Sequence, residues 1–195
     1  MKHQQGLSPL PVRVLGALLC SCCALHAQGS ATGTAVKSPK EVLEQYCAMD
    51  EDGKRLEALP EILALLAKPA PSIQDGFEVI HFWETGWVSI TQTRAEAHVH
   101  YCIAAHVDSR LRVSEEGESL SIFERLFLTL DPGSGHWLVE APQWSYVSFG
   151  AAIRYLAIQA AKNGDTEVRR NAVQTLAFLR KHRKDRYPNP GRCCC

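Results

Sequence analysis

The sequence has no excess of charge of either sign. Its 195 residues carry 21 lysines and arginines against 21 aspartates and glutamates, so the formal net charge is zero. A nucleic-acid-binding domain usually carries a surplus of basic residues, because phosphate contacts supply much of its affinity. We therefore expect no nucleic-acid partner. The hydrophobic content of 46% is ordinary for a globular protein.

The sequence also lacks the short motifs that identify several common enzyme classes. It contains no Gly-rich phosphate-binding loop and no Gly-x-Ser-x-Gly segment, so it offers no basis for a P-loop nucleotide site or an α/β-hydrolase serine. The terminal Cys193–Cys195 run has neither a spaced second pair nor a histidine, so a closed zinc site is not expected there. The sequence predicts no cofactor.

Long hydrophobic runs are absent apart from Val14–Ala24, which is too short to cross a bilayer as a helix. Lys2 and Arg13 precede this run, and small residues follow it. This order is typical of a secretory signal peptide that is removed from the mature protein. We predict a signal peptide over 1–27, a flexible linker over 28–37, no transmembrane span, and export to the periplasm or the extracellular space.

A second interpretation of the same segment starts from Leu19-Cys20-Ser21-Cys22. This stretch resembles a bacterial lipobox, although Cys20 departs from the usual residue at its position. Processing at a lipobox would leave Cys22 lipidated and would anchor the exported protein to a membrane. Both interpretations remain open at the level of the sequence.

Cleavage after Ala27 would leave five cysteines, of which Cys47 and Cys102 lie within the predicted fold. In an oxidising compartment these two can pair as a disulfide that fastens the first helix to the sheet. The alternative is two buried free thiols, because unpaired cysteine is among the most buried residue types. The odd total leaves at least one thiol without an intramolecular partner, and the terminal cysteines are expected to form intermolecular disulfides.

Helix and strand signals alternate along the rest of the chain. Ser38, Pro39 and Glu41 form a capping box that predicts a helix start, and apolar residues at three- and four-residue spacing continue the helix. The acidic run Asp50–Gly53 is interpreted as a solvated connection to a second helix over 60–67. Extended runs are predicted over 77–84, 87–94, 97–107, 122–130, 136–140 and 144–149, with turns at 84–86 and 95–96; two helices are predicted over 151–163 and from Thr166 onwards.

The alternation of apolar and polar residues predicts which strand faces point to the core. In the run 97–107, Val99, Tyr101 and Ile103 occupy one face, and the histidines occupy the other. In the hairpin 122–142, one face holds Ile122, Leu126, Leu128 and Leu130, and the other holds Phe123, Arg125, Phe127 and Thr129.

Two histidines on the polar face are candidate metal ligands. His98 and His100 project from the same side of the strand, and two histidines at this spacing can converge on one zinc ion. No third ligand can be nominated from the sequence. The alternative is a polar outer face, open to solvent or to a homodimer interface through the sheet.

The pattern of two amphipathic helices followed by a strongly bent antiparallel sheet resembles the nuclear-transport-factor-2-like superfamily. The matching segments are Ser38–Val42, Asp50–Gly53 and Gly135–Val139, the last in a hairpin of the form turn, Gly, x, Trp, apolar strand. The whole chain is also similar to a group of secreted bacterial proteins whose ends carry the same Ala-Ile-Arg-Tyr-Leu helix, here at 152–156.

The resemblance implies an α+β fold in which a cystatin-like conical sheet covers the N-terminal helices. It implies an α+β domain over 38–149, with a C-terminal helical pair over 150–186 and a tail over 187–195. It also implies an apolar interior pocket, whose lining is predicted to come from Tyr46, Phe82, Tyr101, Phe127 and Trp137. In the isomerase branch of the superfamily, a helix tyrosine and an acid perform proton transfer, and the candidates at those places are Tyr46 and Asp75.

The function expected from the sequence is an exported, non-catalytic binding module that holds a small apolar ligand or a protein partner. Two alternatives stay open. One is a pocket enzyme of the isomerase or dehydratase type that uses Tyr46 and an acidic residue. The other is a structural or interaction protein with a filled core.

Overall fold

The computed structural model describes residues 36–68, 76–114, 120–140 and 142–183. The predicted signal peptide, Cys22, most of the linker, Asp75 and the terminal tail lie outside the described residues. The elements are α1 (Pro39–Glu51), α2 (Pro60–Leu63), β1 (Gly76–Ile90), β2 (Arg94–Asp108), β3 (Val113–Ser114), β4 (Leu120–Leu130), β5 (Trp137–Val139), β6 (Ser145–Ser148), α3 (Phe149–Lys162) and α4 (Thr166–His182).

The first helix, α1, begins where the capping box predicts. The backbone N–H of Ser38 donates to Glu41 Oε2 at 2.7 Å, and the backbone N–H of Glu41 donates to Ser38 Oγ at 3.3 Å. These two bonds satisfy amide groups that the first helical turn leaves without a partner. Val42, Leu43 and Tyr46 are buried at three- and four-residue spacing, so the predicted apolar face of α1 is confirmed.

The sheet is strongly curved into a half-barrel, and its strand order is β5-β4-β2-β1-β6. β3 pairs with β2 outside this path. All pairs are antiparallel except β1 with β6. The β1–β2 register shifts between Val79 and Ile80, between Ile80 and Phe82, and between Thr85 and Val88. Such bulges bend a strand and increase its twist, which accounts for the curvature along β1.

Two predicted turns are wrong. β1 continues without interruption through 84–86. β2 begins at Arg94, so residues 95–96 lie within a strand and not in a turn. Gly86 lies in the register shift between Thr85 and Val88, where a Cβ would lie 3.1 Å from the carbonyl oxygen of His98, so glycine suits this close approach of two strands. The connection between the strands lies at 91–93, where Thr91 N–H donates to Arg94 O at 2.7 Å.

Other element boundaries also differ from the sequence-based expectation. The second helix ends at Leu63 instead of continuing to residue 67. The predicted hairpin is present as β4 and β5, but the last strand is β6, which pairs in parallel with β1 at the opposite edge of the sheet. The C-terminal helical pair is present as α3 and α4, capped by Ser148 and Asp165. The domain boundary between 149 and 150 stays a prediction.

The alternation of β2 defines the two faces of the sheet. The inner face bears Val99, Tyr101 and Ile103, which are 3% exposed or less, as predicted. The outer face bears His98 and His100. A first core cluster joins α1 to the inner face, and a second joins α3 and α4 to the beginning of β1 and the end of β2. Among the described helices, none has the length and apolar character needed to cross a bilayer.

Candidate functional site

Three of the five residues predicted to line a pocket lie together in the first core cluster. Tyr46 on α1, Tyr101 on β2 and Trp137 on β5 are all buried there. Phe82 pairs across the strands with Cys102, and Phe127 pairs with Glu96. Directly paired residues share a sheet face. Cys102 and Glu96 belong to the outer face, so Phe82 and Phe127 lie there too. The prediction that Phe82 and Phe127 line the interior is therefore wrong.

The hydroxyl of Tyr46 is occupied by a buried arginine. Arg55 Nη1 donates to Tyr46 Oη at 3.0 Å and to the carbonyl of Trp144 at 2.7 Å, and Nη2 donates to the carbonyl of Pro142. Tyr46 itself is completely buried. Burial raises the pKa of its phenol well above the ordinary value. The predicted acid partner, Asp75, lies outside the described residues.

The prediction that the run beginning at Asp50 is solvated is wrong for two of its charged residues, one at the end of α1 and one just beyond it. Asp50 is 1% exposed and Arg55 is 4% exposed, with 4.0 Å between Asp50 Oδ2 and Arg55 Nη1. The hydroxyl of Ser145 donates to Asp50 Oδ1, and the backbone N–H of Tyr146 donates to Oδ2 at 3.0 Å. This pair therefore joins the end of α1 to the segment that enters β6.

Burial also dominates the ionisation of Asp50. Desolvation raises its pKa to about 6, against the opposing effects of the Arg55 charge and of the hydrogen bonds from Ser145 and Tyr146. A carboxyl group that titrates near pH 6 in the folded protein changes its charge within the physiological range.

The inner face of the sheet also carries a carboxylate that the sequence analysis does not predict as a site residue. Glu124 on β4 pairs with Val99, so it lies on the inner face of the sheet. The hydroxyl of Tyr146 hydrogen-bonds its carboxyl group, and burial raises its pKa. Its Oε2 atom is buried and has no hydrogen-bond partner among the described residues. The signal was available in the sequence, because Glu124 interrupts the apolar series formed by Ile122, Leu126 and Leu128.

The tyrosine that hydrogen-bonds this carboxylate stacks on a second tyrosine. Tyr146 stacks on Tyr101 with 3.8 Å between ring centroids and 9° between planes. Tyr101 Oη lies 3.8 Å from the Sγ atom of Cys47. Burial raises the pKa of both tyrosines, so their phenols stay protonated and act as hydrogen-bonding groups.

One row across the sheet leads from this buried group toward solvent. Tyr101 on β2 pairs directly with Trp83 on β1 and with Ile122 on β4. Trp83 and Ile122 are only partly buried, whereas Tyr101 between them is 2% exposed. The indole N–H of Trp83 donates to Glu51 Oε2 at 2.8 Å, which fixes the ring against the end of α1.

The predicted disulfide between Cys47 and Cys102 is not formed. Cys47 is a free, buried thiol in contact with Tyr101, and burial raises its pKa to about 12. Cys102 is therefore not its partner. The physical reason is the alternation of the strand: Tyr101 reaches Cys47 from the inner face, so its neighbour Cys102 belongs to the outer face.

The two candidate metal ligands lie on the outer face and have other partners. His98 Nε2 lies 3.6 Å from Glu96 Oε1, and His100 Nε2 lies 2.6 Å from Ser121 Oγ. Within the part of the chain that the structure describes, no group of three or more His, Cys, Asp or Glu residues is arranged to hold a metal ion.

Comparison with known proteins gives no match: no family model, no curated protein and no solved structure is similar to this chain.

Proposed function

We propose that the protein is an exported, non-catalytic binding module of the nuclear-transport-factor-2-like type. In this proposal the curved sheet is conical, and a small, largely apolar molecule binds against its inner face. The binding position is beside Glu124, under the row of Trp83, Tyr101 and Ile122. The molecule enters where that row becomes partly exposed.

The observation that carries the proposal is the unpartnered Oε2 atom of Glu124. A buried polar atom without a hydrogen bond costs roughly 1–3 kcal/mol, and more when it is charged. Native proteins keep few such atoms, and those that persist call for a functional or structural explanation. A bound molecule that donates a hydrogen bond to Oε2 would remove this cost.

The same geometry favours binding over proton-transfer catalysis. A catalytic tyrosine must reach the substrate, but Tyr46 is completely buried and its hydroxyl accepts a hydrogen bond from Arg55. Arg55 also donates hydrogen bonds to two backbone carbonyls, which is the bonding pattern of a structural arginine. The isomerase alternative therefore loses the group on which it depended.

The proposal predicts that filling the entrance abolishes ligand binding. We expect some members of a panel of small apolar molecules to raise the thermal unfolding midpoint, because a ligand that binds only the folded state stabilises it. Replacing Ile122 with tryptophan should remove these shifts, since the larger ring occupies the partly exposed end of the row. Differential scanning fluorimetry on both proteins is the measurement.

A matched control is available on the same strand. Leu120 has the strand position two residues before Ile122 but is 46% exposed, so Leu120→Trp should leave the shifts intact. If no probe raises the midpoint, or if Ile122→Trp responds like the unaltered protein, the interior is not a ligand site.

A second candidate function is supported by the outer face. Phe123 is 74% exposed and stacks on His100 with 4.6 Å between ring centroids, and Phe82 meets the same imidazole edge-on at 5.8 Å. An exposed aromatic group on an open sheet face is typical of a protein-binding surface. This observation favours self-association through the sheet face.

Self-association through this face predicts a strong dependence on Phe123. Replacing Phe123 with serine should weaken dimerisation by at least about tenfold, because aromatic residues contribute much of the energy of such interfaces. Sedimentation equilibrium over a concentration series measures the effect. Val173→Ser on α4, where the side chain is 53% exposed, is the control. A protein that stays monomeric, or one whose dimer tolerates Phe123→Ser, rules this function out.

A further inference from the structure

We propose that the open edge of β4 pairs with the same edge of a second copy of the chain, so that the two sheets become one continuous antiparallel sheet. The pairing is centred on Phe123. This inference goes beyond both candidate functions, because it concerns the backbone of an edge strand and neither the interior of the sheet nor the side chains of its outer face.

The first half of β4 has a sheet neighbour on one side only. β2 pairs with β4 over residues 120–129, whereas β5 pairs with the other side of β4 only over 128–130. Within the part of the chain that the structure describes, no strand lies beside 120–126 on that second side. The exposure agrees with an edge: Phe123 is 74% exposed, and His100, directly opposite on β2, is 7% exposed.

Two hydrogen bonds show which backbone groups of β4 point to the open side. Successive residues of a strand direct their N–H and C=O groups alternately to the two neighbouring strands. Leu130 N–H donates to Thr93 O at 2.9 Å, so the even-numbered residues of β4 point to β2. Phe127 O accepts from Glu140 N–H at 2.8 Å on the β5 side. The odd-numbered residues of β4 therefore point away from β2.

The open edge consequently presents the backbone N–H and C=O groups of Ser121, Phe123 and Arg125. All three residues are exposed, and no hydrogen bond joins these backbone groups to another described residue. Proteins usually protect such an edge with lysine, proline or a β-bulge. Residues 120–126 contain no lysine or proline, and the pairing of β4 with β2 has no register shift. A regular, unprotected edge of this kind is a template for another strand.

A second copy of β4 fits this edge best in one two-fold register. With Phe123 opposite Phe123 of the second copy, Ser121 lies opposite Arg125 in both directions, and every open N–H and C=O group gains a partner. A register centred on Arg125 or on Glu124 places two like charges directly opposite each other, which is destabilising. A register centred on Ile122 leaves Arg125 beyond the end of β4.

The side chains on the outer face support the same register. Phe123 meets Phe123 of the second copy, and cross-strand aromatic pairs stabilise a sheet. Arg125 lies diagonally across from Phe123 of the second copy, at a separation that long and aromatic side chains span, so its guanidinium can stack on the ring. An unrelated extended peptide would make the backbone hydrogen bonds without these matched side chains. The occupant we infer is therefore a second copy of the chain.

Amide hydrogen exchange of the unaltered protein tests the pairing directly. The amides of Ser121, Phe123 and Arg125 should exchange quickly in a dilute sample and slowly in a concentrated one, because only the dimer gives them acceptors. The amides of Ile122 and Glu124 point to β2 and should stay protected at both concentrations. This measurement needs no substitution, so it does not depend on whether a variant folds.

A pair of variants at one position separates the backbone from the side chain. Arg125→Pro removes an N–H that points away from β2, and proline is tolerated on an edge strand at such positions. Arg125→Thr keeps the N–H, and both variants lose the ion pair with Glu96 equally. Sedimentation equilibrium should show that Arg125→Pro dimerises at least about tenfold more weakly than Arg125→Thr, since each copy loses one hydrogen bond across the edge.

Each contrary result overturns the edge pairing in a recognisable way. If the two variants dimerise equally and Phe123→Ser abolishes the dimer, the outer face is the interface instead. If the amides of Ser121, Phe123 and Arg125 are already protected in a dilute, monomeric sample, another part of the chain covers the edge. A chain that is monomeric at every concentration rules out both the edge pairing and self-association, whereas the interior ligand site is judged separately by the midpoint shifts.

Discussion

Replacing Arg55 with alanine should lower the free energy of unfolding by about 3–5 kcal/mol, the range found when one partner of a buried charge pair is removed. Arg55 is 4% exposed and has four partners: the Tyr46 hydroxyl, the carboxylate of Asp50 and the carbonyls of Pro142 and Trp144. Its removal would leave these polar groups buried without their donor. Each such group then carries a desolvation cost that nothing offsets.

The measurement is chemical denaturation of the unaltered protein and the variant under the same conditions. Arg110→Ala is the control, because Arg110 is an exposed arginine whose carboxylate partner, Glu167, lies 3.5 Å away at the surface. Exposed pairs of this kind contribute about 1 kcal/mol or less. A loss for Arg55→Ala no larger than the loss for Arg110→Ala would show that Arg55 does not join α1 to the segment before β6.

The second large effect is a dependence of stability on pH that comes from Asp50. The pKa of Asp50 is about 6 in the folded protein, against an ordinary value of 3.8, because burial penalises the charged form. The folded state therefore holds the proton more tightly than the unfolded chain. The stability that Asp50 contributes is complete below about pH 4 and is lost as the pH rises through about 6, a change of about 3 kcal/mol.

Comparison with Asp50→Asn isolates this effect. Other acids, including Asp108 and Asp131, have lowered pKa values and change the stability in the opposite direction. These groups are common to both proteins, so their effects cancel in the difference. The unfolding free energy of the unaltered protein minus that of Asp50→Asn should fall by about 2.5 kcal/mol between pH 4 and pH 7, most of the full change. A difference that is constant over this range would contradict the assigned burial of the charge.

The parts of the fold that depend on local pattern could be predicted from the sequence. The capping box of Ser38 and Glu41 places the start of α1, and the alternation of Val99, Tyr101 and Ile103 identifies the inner face of β2. The two C-terminal helices follow from their caps and their apolar spacing. In each case the residues that decide the structure lie within a few positions of one another.

The features that could not be predicted depend on contacts between residues that are distant in the sequence. Asp50 and Arg55 belong to a charged run that usually lies in solvent, and they are buried because partners about 90 residues later along the chain bind them. The strand predicted over 144–149 is present as β6, but its parallel pairing with β1 is equally non-local and could not be predicted from the local pattern. Gly86 was interpreted as a turn, since a bulge and a turn use the same residue type.

The predicted lining of the pocket was wrong for a different reason. The predicted lining was chosen by residue type, which brought in Phe82 and Phe127 from the outer face. Glu124 breaks the apolar pattern that defines its strand, so the pattern alone does not identify it as a site residue. An acid at a position that the pattern assigns to the core is a stronger functional signal than an aromatic residue, because burying it unpaired is costly.

The central claim is that the inner face of the sheet at Glu124 is a small-molecule site. The most direct test is a crystal structure of the protein grown with a small apolar molecule that raises its unfolding midpoint, at a resolution that separates ligand from water. The account predicts a donor atom of this molecule within hydrogen-bonding distance of Glu124 Oε2, with its apolar part against Tyr101 and Ile122. An interior that holds only water beside Glu124, or a carboxylate turned out to solvent, would contradict it.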